Sequence, residues 1–489
     1  MNFRIVSHLL GVLVLGFSAA FLVLIPFSIW YGDGRTLLAA IASMLIGGLI
    51  GGAFLLGGRR HPQDFFRREA VAVTAIAWIV ASVLGALPFY FGGLSQSFID
   101  CFFESTSGLT TTGSSILAVI EDKPASLLFW RSFLHFIGGF GIIVFFVALM
   151  PGFAIGGKTM IKQEVAGHVV EGITPRIRDT AIKLFKVYVG LVVGLALALW
   201  LFGGLSIFEA VNHSMAAVAT GGYSTENTSA LEFRPAGQWL LIIGMFLSGA
   251  NFTLHLEAIR GNWRIYLRDV EFRWYAGILT ASAVVIAITL WLCNVESSTG
   301  GFSSTWRDAV FAVTTCGTTT GFATADYNAW PGATRMILVV LMIFGGMVGS
   351  TTGGLKTIRV VIMMQAMMQD VRKELSPREV GALKVGNRPV SADILRGVLG
   401  YFVVYMLVLF LSTVVVGLGD VKLTTEEALT GVIACLNGCG PGLGVLGPVG
   451  NFSTVSDFSK VALCVVMLLG RLEIYPLLLI CSWRFWFPK

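Results

Sequence analysis

Four stretches of the sequence read alike: Thr110-Thr111-Thr112-Gly113, Ala219-Thr220-Gly221-Gly222, Thr318-Thr319-Thr320-Gly321 and Asn437-Gly438-Cys439-Gly440. Each closing glycine lies 13 residues after an acidic side chain (Asp100, Glu209, Asp308 and Glu427), with a short apolar helical stretch between them. A small-residue pair or its equivalent follows in each case: Gly138-Gly139, Ser248-Gly249, Gly345-Gly346 and Leu469-Gly470. The second members lie 26, 27, 25 and 30 residues beyond the loop glycines. The loop glycines are 109, 99 and 119 residues apart. That spacing gives a fourfold internal repeat of about one hundred residues, too long for a solenoid unit and suited to a small membrane module. Four loops of similar chemistry imply one site of fourfold pseudosymmetry.

Hydrophobic residues make up 55% of the 489 and charged residues only 13%, and the mean hydropathy is +0.80. A soluble domain could not carry such a surface, so the chain belongs in a bilayer. Apolar runs of spanning length fall near 8–31, 36–57, 70–93, 125–150, 182–204, 237–258, 274–294, 333–349, 395–417 and 460–482, two of them ahead of the repeats. The first run is too long for a cleaved signal and reads as a retained helix. Between the two spans of each repeat, the stretch from acid to glycine is too short to cross. As a re-entrant helix it covers roughly 14 Å, about half the hydrocarbon thickness. Irregular backbone at that depth is tolerated only against protein or a water-filled path. The predicted fold is therefore an all-α integral membrane protein, with four helix, re-entrant loop, helix repeats around one pore and two extra N-terminal helices. The boundaries are 1–66 for the extra helices, 67–156, 157–262, 263–366 and 393–489 for the repeats, and 367–392 for a cytoplasmic amphipathic helix and linker.

Lys and Arg gather on alternate loops: Arg59, Arg60, Arg67 and Arg68; Lys158, Lys162, Arg176 and Arg178; Arg260, Arg264 and Arg268; then seven from Lys356 to Arg388. These read as cytoplasmic, which puts both termini inside and opens the glycine loops outward. The net charge of +6 then reports topology, not nucleic-acid binding. The seven cysteines lack metal-site spacing. Nothing assembles a nucleophile, base and orienting acid, and no phosphate-cradling Gly-x-Gly-x-x-Gly is present, so neither an enzyme nor a bound cofactor is expected.

Thr/Gly loops leave backbone carbonyls free to line an axis, where a ring of them replaces the hydration shell of a cation. Glycine is needed where a side chain would close the path or the dihedral forbids one. Each descending helix aims its partly negative C-terminal end at the ion, and the acid sits at its partly positive start. Ala219 and Asn437 stand where the other loops have Thr. The four loops therefore cannot supply a uniform ring of hydroxyls, and the site must rest on carbonyls.

The four loops, read on as Ala-Thr-Gly-Gly-Tyr (219–223), Thr-Thr-Thr-Gly-Phe (318–322) and Asn-Gly-Cys-Gly-Pro-Gly-Leu-Gly (437–444) after Thr-Thr-Thr-Gly (110–113), resemble those of the Trk/Ktr/HKT superfamily of potassium-uptake proteins. The length and extra N-terminal spans are similar to the bacterial TrkH/TrkG-type branch. The resemblance implies K⁺ as the transported ion, with Na⁺ or Rb⁺ as alternatives. It implies a selectivity filter at Thr111, Thr112, Gly113, Thr220, Gly221, Gly222, Thr319, Thr320, Gly321, Gly438, Cys439 and Gly440. It also implies a bacterial cytoplasmic (inner) membrane location, a homodimer with one pore per protomer, and a cytosolic nucleotide-binding regulatory subunit of TrkA type. The segments 367–392 and 157–180 are the expected docking surfaces for that subunit.

Five glycines interrupt the third repeat's inner helix within Gly345-Gly346-Met347-Val348-Gly349-Ser350-Thr351-Thr352-Gly353-Gly354-Leu355-Lys356. Each costs a helix roughly 1 kcal/mol, so a break is expected, and it resembles the family's intramembrane gating loop. Its gating residues are Gly345, Gly346, Gly349, Ser350, Thr351, Gly353, Gly354 and Lys356. In the last span Arg471 costs about 3 kcal/mol if it faces lipid, so it faces an interior. By resemblance it is a barrier or latch beneath the filter; the bland alternative is a salt bridge with Glu473. Arg131, His135, His213 and His255 read as packing or carbonyl-contacting residues. A proton- or sodium-coupled K⁺ symporter is the rival reading. Four parallel units favour a pore over the two inverted halves common in symporters.

Overall fold

A computed structural model describes residues 1–58, 67–148, 173–295, 301–376, 383–386 and 388–487. It is predominantly helical. Among the described residues the only sheet is the hairpin of β1 (Lys384–Val385) and β2 (Arg388–Pro389).

The chain opens with α1 (Phe3–Ala20), capped by the Asn2 side chain, which runs through a 3₁₀ turn into α2 (Leu24–Trp30); α3 (Gly34–Gly57) returns. Next come α4 (Arg67–Gly92), α5 (Phe98–Leu109) and α6 (Ala125–Ala148), then α7 (Ile173–Ala198), α8 (Ile207–Val218), α9 (Pro235–Ser248) and α10 (Phe252–Ile259). After them lie α11 (Val270–Leu292), α12 (Phe302–Gly317), α13 (Gly332–Ile343) and α14 (Thr357–Leu375), and finally α15 (Ala392–Gly419), α16 (Thr425–Asn437), α17 (Asp457–Arg471) and α18 (Tyr475–Ile480).

Among the described residues, seven helices are long and apolar enough to cross a membrane, or eight if the bent pair α9 and α10 counts as one span. The protein is thus a multi-pass membrane protein. Seven of the ten expected spans correspond to these helices. The other three, 237–258, 333–349 and 460–482, are not continuous. The first bends by 102° between α9 and α10, where Asn251 starts a new helix by accepting from the Thr253 N–H. The second stops at Ile343, ahead of the glycine run. The third breaks at Leu472–Ile474, where Glu473 and Ile474 take φ of 58° and 60°, before α18 restarts with Pro476 in its first turn. All three breaks fall within two residues of the small-residue pairs.

Each helix that leads into a glycine loop packs between its two sequence neighbours: α5 between α4 and α6, α8 between α7 and α9, α12 between α11 and α13, and α16 between α15 and α17. The following contacts close a circle: α6 with α8, α9 with α12, α13 with α16, and α17 with α5. The helices α1 and α3 pack on one another and on α4, outside the circle.

Three of the short helices start as their sequence implies. Ser97, Ser206 and Thr424 each accept the backbone N–H three residues on, and Glu209 and Glu427 complete capping boxes. Asp308 departs from the pattern. Its helix begins at Phe302 with Gly301 as cap, so the acid sits within the helix, is buried, and accepts from the Thr324 hydroxyl at 3.2 Å. The polar segment 367–392, read as an amphipathic helix and linker, comprises the end of α14 and then the hairpin, with 377–382 and 387 outside the described residues. Most of the proposed docking loop 157–180, residues 157–172, lies outside them too.

Candidate functional site

The four glycine loops share one backbone conformation. The residue two before each closing glycine is left-handed: Thr111 at φ 53°, Thr220 at 56°, Thr319 at 51° and Gly438 at 68°. The closing glycines follow at 84°, 76°, 94° and 87°. In each loop the N–H just before the closing glycine bonds the carbonyl five residues back, at 2.8 Å: Thr112 to Ser107, Gly221 to Ala216, Thr320 to Thr315 and Cys439 to Ala434. This is the Schellman helix ending. It ends each short helix the same way and lifts the next carbonyls off the helix. Three threonines hold a left-handed conformation that costs a non-glycine residue about 1–2 kcal/mol.

The glycines meet the neighbouring loop in rotation. A Cβ on Gly113 would strike the Gly221 carbonyl oxygen, one on Gly222 that of Thr320, and one on Gly321 that of Cys439; on Gly440 it would lie 2.9 Å from that of Thr112. Four contacts therefore run from first loop to second, third, fourth and back to first. Among the described residues no donor reaches the carbonyls of Thr111, Thr112, Thr220, Gly221, Thr319, Thr320, Gly438 and Cys439. These residues are buried, Gly438 partly. A buried carbonyl without a donor costs about 1–3 kcal/mol, and eight such oxygens in one ring have the chemistry that a desolvated cation would satisfy. The hydroxyls of Thr112 and Thr320 pair at 2.8 Å with those of Thr110 and Thr318, leaving backbone oxygens as the ring's common element.

Beneath this ring lies the segment 344–356. Its ends are tied where Gly345 N–H donates to Leu355 and Leu355 N–H to Ile343. Ser350, Thr351 and Thr352 are buried. The segment touches the neighbouring units one by one. The Thr351 hydroxyl donates to Val218 at 3.0 Å, at the end of α8. Gly353 N–H donates to the Thr319 hydroxyl at 2.9 Å, and a Cβ on Gly353 would strike the Asn437 carbonyl. Met347 N–H donates to Gly249, a Cβ on Gly346 would sit 2.5 Å from the same oxygen, and Gly349 accepts from Phe252 N–H. Gly354, left-handed at φ 69°, packs against Gly345. Lys356 is buried and donates to the Thr352 carbonyl.

Arg471 joins this segment to the first unit. Its guanidinium donates to Thr351 O and to Gly138 O, each at 2.9 Å. The alternative partner Glu473 is engaged elsewhere, with Arg359 at 2.6 Å. Gly470 packs against the Leu436 carbonyl as Gly138 packs against that of Leu109. The fourth repeat's landmark thus matches the first member of the Gly138-Gly139 pair, one residue off the register read from sequence.

Of the remaining ionisable residues, His213 bonds Glu209 O and Ser224 Oγ, and His255 bonds Tyr266 Oη and Leu247 O. Arg131 forms a fully buried ion pair with Glu104, a residue sequence reading did not single out. The available signal was its place one helical turn after Asp100, on the same face. Cys435 and Cys439 are buried free thiols, and no His/Cys/Asp/Glu cluster suited to a metal occurs among the described residues.

The TrkH family model, described as a cation transport protein, matches residues 41–484. The "Trk system potassium uptake protein TrkH" of Escherichia coli K12 is 35% identical, aligned over 99% of this chain and 100% of its own. The "Trk system potassium uptake protein TrkG" of the same organism is 31% identical over 99% and 98%. The crystal structure of the potassium transporter TrkH from Vibrio parahaemolyticus superposes with a TM-score of 0.89 at 31% identity, covering 99% of this chain and all of that one.

Proposed function

The chain belongs to the TrkH family of cation transport proteins, and from that premise we propose that it is the pore-forming subunit of a potassium-uptake system. It is a transporter and not an enzyme. Its four helix, re-entrant loop, helix units, bounded as 67–156, 157–262, 263–366 and 393–489, surround one pore. K⁺ enters from the outer face and sheds its water against the carbonyls of the glycine loops, whose twelve residues named above form the selectivity filter. The segment 345–356 is the gate, and Arg471 is its latch and a positive barrier beneath the filter. The observation that carries this reading is the cyclic contact of the four glycines with the next loop's undonated carbonyls.

Both termini lie in the cytoplasm of a bacterial inner-membrane protein, following the excess of Lys and Arg on alternate loops. The protein acts as a homodimer and is opened by a cytosolic nucleotide-binding subunit of TrkA type, docked on the basic inner face that includes the end of α14. The test is the reversal potential of purified protein in a planar bilayer, with K⁺ on one side and Na⁺ on the other. A potential near the K⁺ limit supports the pore. Uptake that occurs only with a proton or sodium gradient, and no current, would replace it with the symporter.

A further inference from the structure

The position one helical turn after each repeat acid differs in chemistry in every unit, being Glu104, His213, Ala312 and Gly431, and in the first, second and fourth units it lies against residues just past the loop glycine. In the first unit it carries a full charge inside the protein. Glu104 and Arg131 are 0% and 1% exposed, with Arg131 Nε 2.7 Å from Glu104 Oε1. The carboxylate also accepts from Ser115 Oγ at 3.1 and 3.2 Å and from Ile116 N–H at 3.0 Å, both just past Gly113. The guanidinium donates to Ser115 Oγ and to Ser224 O, each at 3.1 Å, and lies 4.0 Å over the Tyr223 ring. Tyr223 directly follows Gly222, and its hydroxyl donates back to Glu104 O at 2.9 Å and Ser114 O at 3.3 Å. Three side chains thus tie the residue after Gly113 to the residue after Gly222.

The other units have weaker ties. His213 bonds Ser224 Oγ at 3.0 Å and packs on Phe322. Ala312 offers no polar atom. At Gly431 the backbone of Gly442 closes in directly, where an added Cβ would lie 3.0 Å from Gly431 N. The first and second loops are therefore joined by a buried ion pair that spans both units, whereas the third and fourth are held by hydrogen bonds within their own units, such as Gly321 N–H to Thr315 Oγ1 at 2.9 Å and Leu443 N–H to Thr430 Oγ1 at 3.0 Å. A buried ion pair gives little net stability over an apolar replacement of like volume, so stability does not account for its presence.

We infer that Glu104, Arg131 and Tyr223 form a positioning strut that sets the spacing between the first and second loops, and through it the ring's discrimination among monovalent cations. The inference rests on reading the ring as the selectivity filter. None of the three side chains needs to touch the ion. The strut acts through the carbonyls of Thr112 and Gly221, which its two ends carry. Tyr223→Phe removes only the hydroxyl that bonds Glu104 and Ser114 and keeps the ring beneath Arg131. Glu104→Gln removes the charge and keeps the shape.

The experiment measures K⁺/Na⁺ permeability ratios from reversal potentials of purified full-length protein in planar bilayers, for wild type, Tyr223→Phe, Glu104→Gln, Arg131→Lys and the third-unit control Ala312→Ser, with melting temperatures taken in parallel. The expected result is a ratio lowered about fivefold to tenfold by Tyr223→Phe, the effect of one net hydrogen bond. Glu104→Gln should lower it further, Arg131→Lys should fall between wild type and Glu104→Gln, and Ala312→Ser should leave it unchanged. Should Glu104→Gln fail to fold, Tyr223→Phe carries the test. Folded Tyr223→Phe protein with a lower melting temperature and an unaltered ratio would reduce the strut to a structural brace and overturn the inference. A wild-type protein without cation selectivity would instead overturn the reading of the ring itself.

Discussion

Replacing Arg471 by Ala removes a bond on each side of the guanidinium, and the two bonds have different effects. The one to Gly138 O anchors the side chain to the first unit; the one to Thr351 O, also 2.9 Å, holds the gate segment. Only the second changes when that segment moves. A hydrogen bond from a charged donor contributes about 1.5–3 kcal/mol. Its loss shifts the closed-to-open equilibrium of the segment by roughly 10- to 150-fold. Under the proposed function the same change also deletes a buried positive charge that would oppose the permeating ion, so both effects would raise flux. Radiolabelled rubidium uptake into proteoliposomes holding the purified chain alone reads the basal rate. Arg471→Ala should raise it at least about tenfold. Arg471→Lys, which keeps the charge but reaches a single carbonyl, should give a smaller rise. Folded Arg471→Ala protein whose basal uptake stays at or below wild type would refute the latch.

Gly438 and Gly440 separate two uses of glycine. The first needs only a left-handed backbone and has ordinary space around an added Cβ, so Gly438→Thr, copying the first three loops, should cost about 1 kcal/mol in thermal unfolding and preserve transport. On exposed loops past the first two glycines, Asn227 donates its backbone N–H to Glu121 at 2.7 Å and its side-chain amide at 2.6 Å, and the backbone bond holds the Glu121 carboxyl below its usual range. A lowered folded pKa means stability that is complete above the ordinary carboxylate value of about 4.3 and is lost as pH falls through the folded value. Wild type should therefore melt above Glu121→Gln at neutral pH, and the two melting curves should converge in acid. Thr424→Ala breaks the capping box of α16 and should lower stability by about 1 kcal/mol without altering ion preference, checked by denaturation and flux together.

The offset from acid to glycine was legible because it encodes a helix of fixed length ending in one kind of turn, which three units keep. Asp308 broke it, since nothing in Gly301-Phe302-Ser303-Ser304 signals a helix that starts four residues earlier relative to its acid than in the other units. Hydropathy located all ten apolar runs and passed over the breaks in three of them, because apolar residues continue on both sides. The glycine run from Gly345 announced one break, and local signals were present at the other two: Ser248-Gly249-Ala250-Asn251, a small-residue stop followed by a cap, and Pro476 two residues after Ile474. A β-branched residue in the left-handed region, as Ile474 is, has no sequence signature at all. The need for glycine at the four closing positions was predictable from chemistry. That each one faces the next loop's carbonyl is a property of the closed circle of helices, which no single repeat contains. Glu104 escaped notice because its partner lies 27 residues on, on a different helix.

The central claim is that four loops make one site, and substituting the four glycines one at a time tests it most directly. Gly113→Ser, Gly222→Ser, Gly321→Ser and Gly440→Ser each set a side chain against the next loop's carbonyl. Bi-ionic reversal potentials should show K⁺ preference in the wild type and a reduced preference or loss of current in all four variants. Folded protein with unaltered K⁺ preference at any one of the four would contradict a single ring to which every loop contributes.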